Sequence, residues 1–296
     1  MQSGYSVQTS KVDGLCLYAR DYPPRADADT LPIVCLHGLT RNAKDFDGLA
    51  RRLAARGHRV VVPDMRGRGR SDHDPDPTRY VPQTYVGDVI ALLDELDIAG
   101  AIFIGTSMGG IITMGVAAVR PALVAAAVLN DIGPEVAPEG LARIASYAGQ
   151  PVTINSWDDA RAYLRRFNHA VFPQFDEEAW MAYARQTFRE DADGKPQLDY
   201  DPAIAVPIQA GRLKADPASA WSLFDTLCRD RPVLLLRGML SDIVSNGILA
   251  RMQARAPSLA VAQIPGVGHA PLLDEPESLA ALDHFLQHVQ NTRGTA

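Results

Sequence analysis

The stretch that most constrains this chain is Ala101-Ile102-Phe103-Ile104-Gly105-Thr106-Ser107-Met108-Gly109-Gly110-Ile111-Ile112. It begins with an apolar run too brief for a helix and rich in β-branched residues, which predicts a buried strand. After Ser107, small and apolar residues recur at helical spacing to about Val119, where Arg120-Pro121 ends them. A strand that becomes a helix within a few residues holds its turn residue at strained dihedrals. It also leaves no room for side chains on either side, so glycine flanks the turn. Gly105-Thr-Ser107-Met-Gly109 therefore reads as a Gly-x-Ser-x-Gly nucleophile elbow. Such an elbow lifts a serine hydroxyl to a helix N-terminus, where backbone N–H groups and the helix dipole stabilise an anion. Five-residue matches also arise by chance, so the reading depends on a histidine, an acid and an oxyanion loop elsewhere in the chain.

The rest of the chain supplies a frame for that turn. Tyr5–Ser10 and Leu15–Tyr22 alternate around the turn signal Val12-Asp13-Gly14 and predict an antiparallel hairpin. The polar segment Arg25–Thr30 reads as an exposed loop. Pro32–Leu36 and Arg59–Pro63 are continuous apolar runs, as expected of strands covered on both faces. Helical stripes follow at Phe46, Leu49, Ala50 and Leu53, and at Val86, Val89, Ile90, Leu93 and Leu96. Further strands are expected at Val124–Asn130, Val233–Leu236 and Leu259–Ile264, with helices over Ala220–Leu227, around Ile248, Leu249 and Met252, and over about Pro276–Val289. This alternation predicts an α/β chain with a mostly parallel, doubly covered sheet. Asn291–Ala296 reads as a frayed tail.

The rhythm breaks at Gly133-Pro134. From there to about Ala215 the chain reads as helical and irregular, with Asn155-Ser156 opening a helix over Asp158–Phe167, Asp176 opening another over Glu177–Phe188, and a loop over Asp191–Asp201. Half of the chain's aromatic residues fall here: Tyr147, Trp157, Tyr163, Phe167, Phe172, Phe175, Trp180, Tyr183, Phe188 and Tyr200. The expected organisation is thus a core over residues 1–132, an inserted helical cap over 133–215 and a second part of the core over 216–296. The aromatic excess serves either a pocket under the cap or the cap's own packing.

A serine hydroxyl needs a base to take its proton, and the base works best when an acid fixes its tautomer. In open α/β sheets such groups gather on loops at the carboxyl ends of strands. Ser107, Asp242 and His269 each follow a predicted strand, in the order Ser, Asp, His. Two glycines in Gly-Val-Gly-His269-Ala-Pro let the histidine loop bend back towards the elbow. Asp242 is the favoured acid, and Asp131, which also follows a strand, is the alternative. Two oxyanion donors are required as well. The backbone N–H of Met108 is one candidate, and that of Leu39, in the loop after His37-Gly38, is the other.

These motifs together resemble the α/β-hydrolase fold family. His37-Gly38-Leu39 resembles its oxyanion loop, Pro63-Asp64-Met-Arg66-Gly67-Arg-Gly69-Arg-Ser71-Asp72 its P-D-x-R-G-x-G-x-S-D loop, and Gly105–Gly110 its G-x-S-M-G-G elbow. Gly-Val-Gly-His269-Ala-Pro resembles its histidine loop. The resemblance spans nearly the whole chain outside the cap and implies a Ser–His–Asp triad without a cofactor. It also implies that Asp64, Arg66 and His37 shape loops rather than react. The expected activity is hydrolysis of small to medium, largely apolar carboxylic esters through an acyl-serine. A lactone or enol-lactone hydrolase, or a C–C bond hydrolase of the same fold, is the alternative, and a non-catalytic ligand-binding protein is the reading from a different class. Epoxide hydrolases and haloalkane dehalogenases of this fold carry aspartate at the elbow, which Ser107 argues against.

Composition narrows the partners. The net charge of −6 gives a nucleic-acid partner no electrostatic support. Arg66-Gly-Arg-Gly-Arg70 lacks the companions of a phosphate-binding loop. His284 and His288 lie four apart on the last helix without a third ligand, so no metal is expected. Cys16, Cys35 and Cys228 are few and set in apolar runs, as reduced core residues are. The start of the chain lacks the basic flank and apolar run of a signal peptide. No apolar stretch reaches the roughly 18 residues of a membrane span, so no membrane association is expected and cytoplasm is the expected location.

Overall fold

The computed structural model describes residues 4–25, 29–211 and 216–293. The middle of the loop expected over Arg25–Thr30, the end of the expected cap at 212–215 and the last residues of the expected tail lie outside that range. Residues 291–293 continue the final helix.

The first two strands, β1 (Ser6–Val12) and β2 (Leu15–Tyr22), form the expected hairpin. Its two turn residues, Asp13 and Gly14, both have positive φ, 54° and 82°, which matches the right-handed twist of the flanking strands. They join an eight-stranded sheet with β3 (Ile33–Leu36), β4 (Val60–Pro63), β5 (Ala101–Thr106), β6 (Val124–Asn130), β9 (Val233–Gly238) and β10 (Ala260–Ile264). The order is β1-β2-β4-β3-β5-β6-β9-β10, with β2 antiparallel to both of its neighbours, β1 and β4, and the remaining pairs parallel.

Strand periodicity explains why these strands are apolar throughout. Along β3, Val34 and Leu36 face one core and Ile33 and Cys35 the other. One face is covered by α2 (Pro82–Glu95), α3 (Met108–Val119), α8 (Pro217–Cys228) and α9 (Asn246–Arg255), through residues such as Val89, Ile112, Phe224 and Met252. The other is covered by α1 (Asp47–Ala55) and α10 (Pro276–Arg293), through Leu49, Leu53, Leu282 and Phe285. Cys35 and Cys228 are buried and unpaired, and Cys16 is half-buried.

Between β6 and α8 the chain forms a separate layer: α4 (Pro138–Tyr147), α5 (Trp157–Asn168), α6 (Glu177–Thr187) and the short α7 (Val206–Gln209). Ser156 and Asp176 cap α5 and α6 by accepting the N–H groups of Asp159 and Ala179. The segment expected as a loop over Asp191–Asp201 instead closes a hairpin of β7 (Phe188–Glu190) and β8 (Pro196–Leu198). The Asp191 carboxylate accepts N–H bonds from Asp193 and Lys195, and Gly194 turns at φ +79°, so polar loop residues organise a ribbon. After β8 the backbone runs along the arginine-rich loop, where Gly69 donates to Asp199 O (2.9 Å) and Asp201 donates to Gly67 O (2.7 Å).

Candidate active site

Ser107 sits between β5 and α3 at φ 52°, ψ −115°, a strained conformation held by its surroundings. Its N–H donates to Asn130 O (3.1 Å). A Cβ at Gly105 would lie 2.5 Å from the Gly109 and Gly110 backbone, and one at Gly109 would lie 2.1 Å from Leu36 O. Both glycines are therefore steric requirements of the turn.

His269, on the loop after β10, reaches back over the sheet as the sequence suggests. Its Nε2 lies 2.8 Å from Ser107 Oγ and its Nδ1 lies 2.9 Å from Asp131 Oδ2. With Nδ1–H donating to the carboxylate, Nε2 is left as the acceptor for the serine proton. The acid beside the histidine is thus Asp131, not Asp242. Asp131 is fully buried, and its carboxylate also accepts Gly238 N–H (2.9 Å) and Ser241 O–H (2.6 Å). In the sheet β6, which ends at Asp131, lies beside β5, and β9, whose loop carries Asp242, lies beside β10, which leads to His269, so strand order alone leaves both acids within reach and the side-chain contacts make the choice. The β9 loop supports the acid through Ser241 rather than supplying it. Asp242 instead forms a two-point ion pair with Arg143 of α4, at 2.6 and 2.9 Å. Although burial acts to raise it, the Arg143 guanidinium holds the Asp242 carboxyl below the usual carboxylate range.

The two oxyanion candidates lie on either side of Ser107. The N–H groups of Leu39 and Met108 find no acceptor among the described residues, as is usual at the first turn of a helix for Met108. A Cβ at Gly38 would come 3.7 Å from Ser107 Cβ, which shows how closely the loop approaches the elbow. His37 fixes that loop. It is fully buried, its Nε2 accepts Met65 N–H (3.0 Å), and its Nδ1–H donates to Gly38 O (2.8 Å). Burial pushes its pKa down to about 4, so it stays neutral and keeps both bonds. Asp64 accepts the N–H groups of Ala43 and Arg70, while buried Arg66 grips Asp88 and Asp74. These are the loop-shaping roles the resemblance implies.

Above Ser107 lies a cavity of about 100 Å³ between the core and the helical layer. The aromatic excess serves both purposes set out from the sequence. Tyr147, Tyr163, Phe167, Tyr183, Phe188 and Tyr200 line the cavity, while Trp180, Phe172 and Phe175 stack within the layer. The cavity is more polar than expected. Arg41 enters the wall paired with Asp45 (2.7 and 2.5 Å) and stacked 4.4 Å above Tyr183, whereas the Tyr163 hydroxyl, without a partner among the described residues, is sealed from the cavity. Arg41 also hydrogen-bonds Thr187. Sequence reasoning missed Arg41 and Asp45, although their position just after the oxyanion loop was the available signal. Among the described residues no group of three or more His, Cys, Asp or Glu side chains is placed to hold a metal ion, and no helix is long and apolar enough to cross a membrane. His284 and His288 lie on an exposed face of α10.

The profile of the family described as alpha/beta hydrolase fold matches residues 32–276. The chain is 36% identical to the 3-hydroxybutyrate-oligomer hydrolase of Cupriavidus necator over 86% of this chain and 87% of that protein. It is 29% identical to the 2-(acetamidomethylene)succinate hydrolase of Mesorhizobium japonicum over 84% and 86% respectively. A crystal structure of an alpha/beta hydrolase from Novosphingobium aromaticivorans superposes with a TM-score of 0.90 at 44% identity, covering 97% of this chain and 99% of that one.

Proposed function

This chain belongs to the α/β-hydrolase family, and we propose that it is a serine hydrolase of short carboxylic esters acting through Ser107, His269 and Asp131. The observation that carries the reading is the continuous hydrogen-bonded line from buried Asp131 through His269 to Ser107 Oγ. In the proposed reaction, His269 Nε2 takes the serine proton as Oγ attacks the acyl carbon. The Leu39 and Met108 N–H groups bind the oxyanion, and Asp131 holds the imidazole tautomer and balances the imidazolium. Collapse of the tetrahedral intermediate releases the alcohol with the proton from His269. Water, activated by the same nitrogen, then frees the acid and regenerates Ser107.

The cavity size favours a small acyl group, and the Arg41–Asp45 pair in its wall favours a substrate carrying oxygen atoms beyond the scissile ester. Similarity to an enzyme named for 3-hydroxybutyrate oligomers supports short hydroxy-acid esters as the substrate class. The test is hydrolysis of p-nitrophenyl esters from acetate to octanoate by the wild type and Ser107→Ala. The expected result is preference for the short end and loss of turnover in the variant. Undiminished activity in Ser107→Ala would remove the acyl-serine from the mechanism, and a folded wild type inert on every ester would remove the esterase reading.

A further inference from the structure

The cavity above Ser107 has a wall that the triad chemistry does not use. Tyr147 of α4 and Tyr183 of α6 both line it. Neither hydroxyl has a hydrogen-bond partner among the described residues, yet neither is sealed from the cavity as the Tyr163 hydroxyl is. Packing fixes both rings. Tyr183 lies 4.4 Å beneath the Arg41 guanidinium and meets Phe172 edge-on at 5.3 Å, and the Tyr147 ring lies 5.7 Å from that of Phe167. Burial pushes the Tyr147 pKa up to about 12 and raises that of Tyr183, so both hydroxyls stay neutral donors at neutral pH. Arg41 lines the same cavity, and Arg143 stands one turn before Tyr147 on the same face of α4. Asp45 and Thr187 take the Arg41 Nε–H and one N–H of each terminal nitrogen, so each terminal nitrogen keeps another N–H without a partner among the described residues. Against burial, Arg143 and Arg41 both favour negative charge at the Tyr147 hydroxyl, and at Tyr183 the same two guanidinia act against Asp45 alone. The wall thus presents donors in a positive potential.

We infer that Tyr147, Tyr183 and Arg41 form a clamp for the free carboxylate at the end of an oligoester of short hydroxy acids, so that Ser107 attacks the last ester bond of the chain. The inference rests on the ester-hydrolase reading above. In such a chain the terminal carboxylate belongs to the alcohol side of the last ester, only a few bonds from the scissile oxygen. Ser107 and the clamp share the lining of one cavity of about 100 Å³, which brings a bound carboxylate and the scissile ester into the same small space. A carboxylate accepts from both hydroxyls and from Arg41, whereas an alkyl end would leave those donors facing carbon. Attack by Ser107 Oγ breaks the ester C–O bond, and the alkoxide takes its proton from His269 and leaves as the free terminal hydroxy acid. Water then releases the shortened chain from Ser107 as its carboxylate.

The test compares two dimers of 3-hydroxybutyrate, one ending in the free carboxylate and one in a carboxamide, which removes the charge and keeps the size. The readout is kcat/KM for the carboxylate dimer divided by kcat/KM for the carboxamide dimer, with cleavage of the internal ester followed by chromatography. It is measured in the wild type, Tyr147→Phe and Tyr183→Phe. The expected wild-type ratio is about tenfold or more, the scale of one hydrogen bond to a charged group. Each phenylalanine keeps the ring and its packing and is expected to lower the ratio by about threefold or more. A wild-type ratio near one, in an enzyme that cleaves p-nitrophenyl acetate through Ser107, overturns the clamp and leaves the hydrolase reading standing. Cleavage of the acetate through Ser107 with both dimers left intact does the same. A wild-type preference that survives in both variants overturns the assignment to the two tyrosines. The wild-type ratio needs no substitution, so the test holds even where a variant fails to fold. Failure on every ester overturns both readings.

Discussion

Changing Asp131 to asparagine separates the two acids that chain order leaves equivalent. The Asp131 carboxylate is fully buried and accepts from His269 Nδ1, Gly238 N and Ser241 Oγ. The amide keeps the shape but replaces one acceptor with a donor. If its NH2 faces His269, Nδ1 must accept, the ring proton moves to Nε2, and the nitrogen facing Ser107 can no longer act as a base. If it faces Gly238, two donors meet in a buried site, which costs about 1–3 kcal/mol of stability. A wrong imidazole tautomer in an otherwise intact triad lowers kcat by about 10⁴, or roughly 5 kcal/mol of barrier. Asp242→Asn, by contrast, breaks the ion pair with Arg143. Those side chains are only 29% and 17% exposed, so the change costs more than the roughly 0.2–1 kcal/mol of a surface pair and less than the roughly 3–5 kcal/mol of a fully buried one, and it leaves the hydrogen bond between His269 Nδ1 and Asp131 in place. The assay is kcat on p-nitrophenyl acetate for both variants, with the melting temperature of each measured beside it. The reasoning is refuted if Asp242→Asn loses activity by orders of magnitude while folded Asp131→Asn retains it.

Three further expectations concern the surroundings of the site. Arg66 is fully buried between Asp88 and Asp74, so Arg66→Met strands two carboxylates and is expected to cost about 3–5 kcal/mol, read from urea midpoints. His37 has a folded pKa of about 4 against an unfolded value of about 6.5. Between those values only the unfolded chain takes the proton, so the His37 contribution is whole above about pH 6.5 and is lost as pH falls towards 4, about 3 kcal/mol in all. The stability difference between wild type and His37→Gln, measured by denaturant titration across that window, should shrink as the pH is lowered. Tyr163→Phe removes a buried hydroxyl that has no partner among the described residues, so it should leave the melting temperature unchanged or higher. That hydroxyl has no accessible surface to offer a substrate, so KM for p-nitrophenyl acetate should stay unchanged.

The sequence by itself determined those parts whose causes are local. Apolar runs of strand length, a stripe on each helix and glycines at Gly105 and Gly109 are short-range requirements, and they located β3 to β6, the elbow and its helix. The Gly-Val-Gly run did the same for the His269 loop. Where a choice depended on which distant side chains meet, local pattern was silent. Asp131 and Asp242 both follow strands and both satisfy the order Ser, Asp, His. Only the tertiary contacts gave Asp131 to the histidine and left Asp242 to Arg143 of the inserted layer. The aromatic residues of the inserted layer were visible as an excess, but their division between cavity and packing depended on which helix face met the core. Arg41 and Asp45 became part of the cavity wall because α6 and the His269 loop closed over them, bringing Tyr183 and Leu273 beside a turn some 140 and 230 residues earlier in the chain. Local backbone preference thus set the elements, and the desolvated contacts between distant elements decided which polar groups share a site.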